Sequence, residues 1–231
     1  MPVLKAWVNP LKCPEIDFQS SGSGVPAADR LLDYLFAPEL ERGCEIFVVR
    51  YRELAAVTDP IPMAPAESTI LEKLIWPIRQ AKGSYALGNY LGCIALCGMV
   101  GEMVSILLWD ISKVSFRGGV MTEEDQRAIL GSTFERLGQE RRIQVLRGLS
   151  LIDDNTKEAF DNLRTIRRKY LHLLSQPHAQ VAPDAKQAYK DTLHVVAVVL
   201  GQTFTDGAVV LRADLMAYLT EKGLVEADPQ R

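Results

Sequence analysis

Between Leu163 and His172 the chain reads Leu-Arg-Thr-Ile-Arg-Arg-Lys-Tyr-Leu-His. At helical spacing, Arg164, Arg168 and His172 stack one turn apart on a single face, with Lys169 beside them. The opposite face carries Phe160, Leu163, Ile166, Tyr170, Leu173 and Leu174, an apolar stripe suited to a core. An arginine fork grips phosphate oxygens in pairs, and an imidazole exchanges protons near neutral pH. Together these are the side chains of phosphate binding and of general acid–base chemistry on a phosphoester. Arg167 stands apart, at the edge of the apolar stripe, where its charge must find a partner or reach out to water. A merely solvated helix face produces the same ladder, so the spacing alone names no activity.

Glu102 is the complementary oddity, the one acidic or basic residue from Gly83 to Trp109. A carboxylate in so apolar a helix is costly unless it is paired. Pairing with Arg167 would satisfy both residues; a position on a wet sliver of helix would also do.

The elements that must position these groups read as helices. A helix over about 155–175 carries the ladder, started by Asp153 or Asp154 and ended by Pro177. Residues about 67–82 predict a helix interrupted near Pro77, and about 83–113 predict one long buried helix with a Gly88/Gly92 pair. Gly118-Gly119 reads as a turn, and Thr122 through Asp125 as a capping box opening a helix to about Leu137. Helices across Arg141–Leu149, from Pro183 to about Phe204, and over Asp206–Lys222 complete the series. The fold class is all-α, an up-down helical bundle over 66–231 behind an irregular, partly helical N-terminal extension over 1–65. In that extension, Leu40, Cys44, Phe47, Val48, Tyr51, Leu54 and Ala55 recur at helical spacing, while Glu45–Arg50 competes as a short strand. Asp59-Pro60-Ile61-Pro62-Met63-Ala64-Pro65 marks the boundary.

Composition excludes more than it assigns. The 231 residues carry 26 Lys+Arg against 29 Asp+Glu, a net charge of −3, which rules out a grossly basic coat protein. From Arg136 to Lys169, however, nine basic residues face five acidic ones, so +4 sits in one segment and −7 in the rest. Arg141, Arg142 and Arg147 would widen a basic patch beside the motif helix. Cys13, Cys44, Cys93 and Cys97 form no metal-type spacing, and Cys93 and Cys97 read as buried apolar residues. His172, His178 and His194 have no ligand spacing either, so no metal or cofactor is expected; His194 reads as a satisfied core or interface residue. The N-terminal residues lack a secretory pattern, and cytoplasmic localisation is the expectation. The uncharged run reads as a bundle's central helix in preference to a membrane span.

The run Ile75-Trp76-Pro77, Ala81-Lys82, Tyr85, Gly88, Tyr90-Leu91-Gly92, Ala95, Gly98, Glu102 resembles the first two helices of a HEPN domain. Leu163-x-x-Ile166-Arg167-Arg168-Lys169-Tyr170-Leu171-His172 resembles that family's R-x4–6-H motif, here Arg167-x4-His172. The likeness covers about residues 66–204. It implies a helical bundle that pairs as a homodimer, with two motif helices facing across a cleft. In active members the motif is a metal-independent endoribonuclease site of toxin or defence type. His172 would then move protons and Arg167 hold the scissile phosphate. Arg164, Arg168 and Lys169 would bind phosphate, with Glu102 and Tyr170 in support. The chain departs from many active members in carrying Arg168, not a small polar residue, directly after the motif arginine. Other members bind nucleotides or act as non-catalytic interaction (adaptor) modules, and an antitoxin-like partner protein is a further expectation. For that second class the extension matters, because Trp7, Phe18, Tyr34 and Phe36 can anchor a partner or pack on the bundle.

Overall fold

The computed structural model describes residues 44–171, 180–205 and 208–224. Helix α1, Cys44–Ala55, comes first. Its Ile-Phe-Val-Val run is helical, not extended, with Glu45 in the first turn and Arg52 in the last, each favoured by the helix dipole. Leu54 is buried in the main core, and Glu53 accepts a 2.9 Å hydrogen bond from the Tyr85 hydroxyl. Helix α1 thus lies before the proline run in sequence yet packs onto the bundle. Its expected stripe is only partly the buried one: Phe47, Val48 and Tyr51 are exposed.

Next come α2, Ser68–Ile70, a π-turn over Leu71–Ile75, and α3, Trp76–Ala86. Pro77 falls in the first turn of α3, where a missing N–H costs least, and the widened turn before it absorbs the lost hydrogen bond. The expected long helix over 83–113 is in fact divided. The chain turns at Leu87–Asn89, with Gly88 at φ +80°, and the Asn89 side chain accepts from the Gly92 N–H at 2.9 Å to start α4, Tyr90–Ser112. Gly88 therefore lies outside the helix.

Helix α4 is the hub. It packs against α3 and, further along the chain, against α6, Gln139–Gly148, α7, Asp154–Leu171, and α8, Val181–Leu200. Cys93, Cys97, Val100 and Val104 are wholly buried on it. Both thiols are free. That of Cys93 is pushed well up by its Cys97 neighbour and by burial, as expected of packing residues. The helix is long and apolar enough to cross a membrane, with half of its most apolar window covered by neighbouring helices.

Between α4 and α6 lie a two-strand hairpin, β1 Ser115–Phe116 and β2 Gly119–Val120, and α5, Glu123–Leu130. The turn is centred on Arg117 and Gly118, both at positive φ, one residue before the expected glycine pair. The capping box is present: the Asp125 N–H donates to Thr122 Oγ1, and the Thr122 N–H to Asp125 Oδ2. Gly131 ends α5 in the left-handed region, short of Leu137. After α8, Gly201 at φ +51° stops the helix before Phe204. A second antiparallel hairpin follows, β3 Thr203–Thr205 with β4 Ala208–Val210, and then α9, Ala213–Glu221. The expected helix over Asp206–Lys222 thus gives Ala208–Val210 to the hairpin and is helical only over Ala213–Glu221. The described residues remain predominantly helical, consistent with an all-α class.

Candidate functional site

Helix α7 builds the site because its amphipathic pattern admits one orientation. Phe160, Leu163, Ile166 and Tyr170 are buried on α4 and α8, which turns the arginines outward. Asp153 starts the helix by accepting from the Thr156 N–H at 2.8 Å, and the Thr156 hydroxyl together with that N–H holds its carboxyl below the usual carboxylate range. The expected end near Ser175 and Pro177 lies outside the described residues, as do His172, Leu173 and Leu174.

Arg167 meets Glu102. Its Nη2 stands 2.7 Å from Glu102 Oε1, and the two side chains keep 25% and 34% of their surface exposed. The pair is half-buried, where the sequence suggested full burial or none. Close approach makes it possible: a Cβ on Gly98 would sit 2.5 Å from Arg167 Cδ, so only glycine leaves room for the guanidinium stem to cross α4.

Around that pair lies a cleft of about 480 Å³ lined by Glu102, Arg142, Arg164, Arg167 and Arg168, with Gly138, Gln139 and Glu140. Arg164 reaches Glu140 at 3.1 Å. Arg168 is exposed at the rim. Arg142 is 6% exposed and Gln139 8%, yet Arg142 Nε and both Gln139 amide atoms lack hydrogen-bond partners among the described residues. Burial holds the Arg142 pKa below its usual value, against the pull of nearby Glu102.

Two expected site residues turn elsewhere. Lys169 donates to Asp184 Oδ2 at 2.8 Å, and the Tyr170 hydroxyl donates to the same oxygen at 2.7 Å, fastening α7 to the start of α8. Burial and that carboxylate push the Tyr170 hydroxyl up, and Lys169 is held charged by the same partner. Neither lines the cleft. Arg147 is bound to Asp154 at 2.6 Å on another surface. His194 shares a 3.2 Å hydrogen bond with Thr156 Oγ1 inside the bundle. Among the described residues, no three His, Cys, Asp or Glu side chains gather as metal ligands would.

Gln139 is the cleft residue that motif reasoning passes over. A signal existed: α6 buries Gln139, Arg142, Ile143 and Leu146, a helical core stripe whose first two places hold polar groups. Compared with protein-family models, curated proteins and solved structures, the chain finds no match.

Proposed function

We propose that this protein binds the phosphate groups of RNA or a nucleotide in the cleft between α4, α6 and α7. The observation that carries the reading is convergence. Arg142 from α6 and Arg164, Arg167 and Arg168 from α7 surround one cavity of nucleotide size. The HEPN-like pattern extends the reading to a cytoplasmic, metal-independent endoribonuclease assembled as a homodimer. His172 would take the 2′-hydroxyl proton, the freed oxygen would attack phosphorus, and the 5′-oxygen would leave as it is protonated, the imidazolium or a water supplying that proton, giving a 2′,3′-cyclic phosphate and a 5′-hydroxyl. Arg167 would stabilise the charge that builds on the phosphoryl oxygens.

The test is single-stranded RNA incubated with the protein in EDTA. Binding that falls with salt at a log–log slope of about −2 to −3 matches three to four neutralised phosphates. Cleavage to cyclic-phosphate ends that is lost in His172→Ala establishes the enzyme. Salt-sensitive binding without cleavage leaves a non-catalytic phosphate-binding module. A second reading, an adaptor that docks a partner protein, is favoured by the exposed Phe47, Val48, Val49 and Tyr51 on α1. It predicts no affinity for RNA and a partner lost in Phe47→Asp with Val49→Asp.

A further inference from the structure

A buried guanidinium without an anion is unusual, because the cost of dehydrating its charge is repaid only by a counter-charge or hydrogen bonds. Arg142 is in that position at its Nε, with Glu102 acting on it only from beyond ion-pair distance. It is 94% buried, its Nε has no partner, and no carboxylate stands within ion-pair distance of it among the described residues. Gln139, one turn before it on the same stripe, buries an amide with neither donor nor acceptor engaged. Native proteins leave few such atoms unpaired, and those they leave usually await an ion, a water or a ligand. Both residues line the same cleft.

The charge of that cleft is specific. Four arginines line it against Glu102 and Glu140, a surplus of two positive charges. Arg167 is engaged by Glu102 and Arg164 by Glu140. The surplus therefore resides on Arg142 at the floor and Arg168 at the rim, neither of which has an ion-pair partner among the described residues. A terminal phosphate monoester carries about −1.5 to −2 at neutral pH, whereas a backbone phosphodiester carries one charge.

We infer that Arg142 and Gln139 form a receptor for a phosphate monoester, the terminal phosphate of an RNA or of a free nucleotide, with Arg168 closing over it. This rests on the phosphate-binding reading above and narrows it from any backbone phosphate to a chain end. Arg142 is then a binding residue with no ion pair among the described residues of the free protein, steadied only by the longer-range pull of Glu102.

The experiment is titration calorimetry on the full chain with a short RNA bearing a 5′-terminal phosphate, a 3′-terminal phosphate, or neither. A nucleoside 5′-monophosphate and dimethyl phosphate serve as small probes. A preference of at least tenfold for one phosphorylated end is expected, with the monophosphate competing and dimethyl phosphate inert. Arg142→Met should erase the preference while the melting temperature of the free protein holds or rises. Gln139→Leu, should Arg142→Met fail to fold, must reduce the preference severalfold. A monophosphate as tight as the phosphorylated RNA assigns free nucleotide as the ligand, and one tenfold weaker assigns the RNA end. Equal affinity for all three RNAs overturns the receptor and leaves RNA binding standing. No binding by any probe overturns both. An end preference that survives both substitutions places the receptor elsewhere and refutes the assignment.

Discussion

The Glu102–Arg167 contact at 2.7 Å has a measurable strength, set by how much water reaches it. Fully buried pairs lose about 3–5 kcal/mol when one partner is removed, and exposed ones contribute about 0–1. At a quarter to a third exposed, an intermediate coupling of about 1–2 kcal/mol is expected. Urea unfolding of the parent, Glu102→Gln, Arg167→Met and the double variant reads it directly. Asp191 on α8 offers a second residue-scale test. The residue is 7% exposed, the Gln187 amide donates to one carboxylate oxygen at 2.9 Å, and burial pushes its pKa up to about 6. The unfolded value is near ~3.9, so the folded state binds the extra proton between those limits. The contribution to stability is complete below pH ~3.9 and is lost as pH rises through about 6. Asp191→Asn should flatten the stability profile over that window and raise stability at pH 7.5 by about 1–2 kcal/mol. The sequence made Arg167 and Glu102 conspicuous because each breaks the pattern of its own helix. Gln139 shows in the sequence only as a polar place in the α6 stripe, and its entry into the cleft depends on α6 packing against α4, which no local pattern records.

At the scale of elements, α4 and α7 approach closely through glycine. A Cβ on Gly101 would stand 2.9 Å from Leu163 Cδ1, and Leu163 is held fast in the core. Alanine gains about 1 kcal/mol of helix propensity there, but overpacking costs about 1–3. Gly101→Ala should therefore destabilise the protein by about 1 kcal/mol in thermal or urea unfolding. Helix α5 behaves differently, because none of its residues is buried. Thr122→Ala removes its cap and should speed amide exchange across Glu123–Leu130 while leaving global unfolding almost unchanged. That cap was legible because capping is local. Amphipathic α7 was legible through Phe160, Leu163, Ile166 and Tyr170, an uninterrupted stripe. The break at Leu87–Asn89 was not, since uniform apolarity on both sides hides a turn that one glycine and one asparagine create. The hairpin Thr203–Thr205 with Ala208–Val210 also went unread, although Asp206-Gly207 between two β-prone runs is a hairpin signal in sequence.

At the scale of the whole molecule, one core joins α1 to the helices beyond the proline run. Leu54 is 1% exposed, and its truncation in Leu54→Ala should cost about 2–4 kcal/mol, checked by urea unfolding. A chain beginning after residue 60 should melt well below one beginning near residue 43, since only the former loses Leu54 and the Glu53–Tyr85 bond. The proline run separates α1 from the later helices in sequence, while Leu54 on its near side shares their core, a contact that composition does not record.

The central place of α4 also has a consequence in time. Its apolar faces are covered by α7 and α8, which end at Leu171 and Leu200, up to 88 residues after Ser112. At synthesis rates of about 5–20 residues per second, the completed helix waits roughly 4–18 seconds for its last partner to be made. During that interval a nascent chain displays 23 residues with the hydropathy of a membrane anchor and a single charge near each end of its second half, Glu102 and Asp110. The finished fold then covers half of its most apolar window.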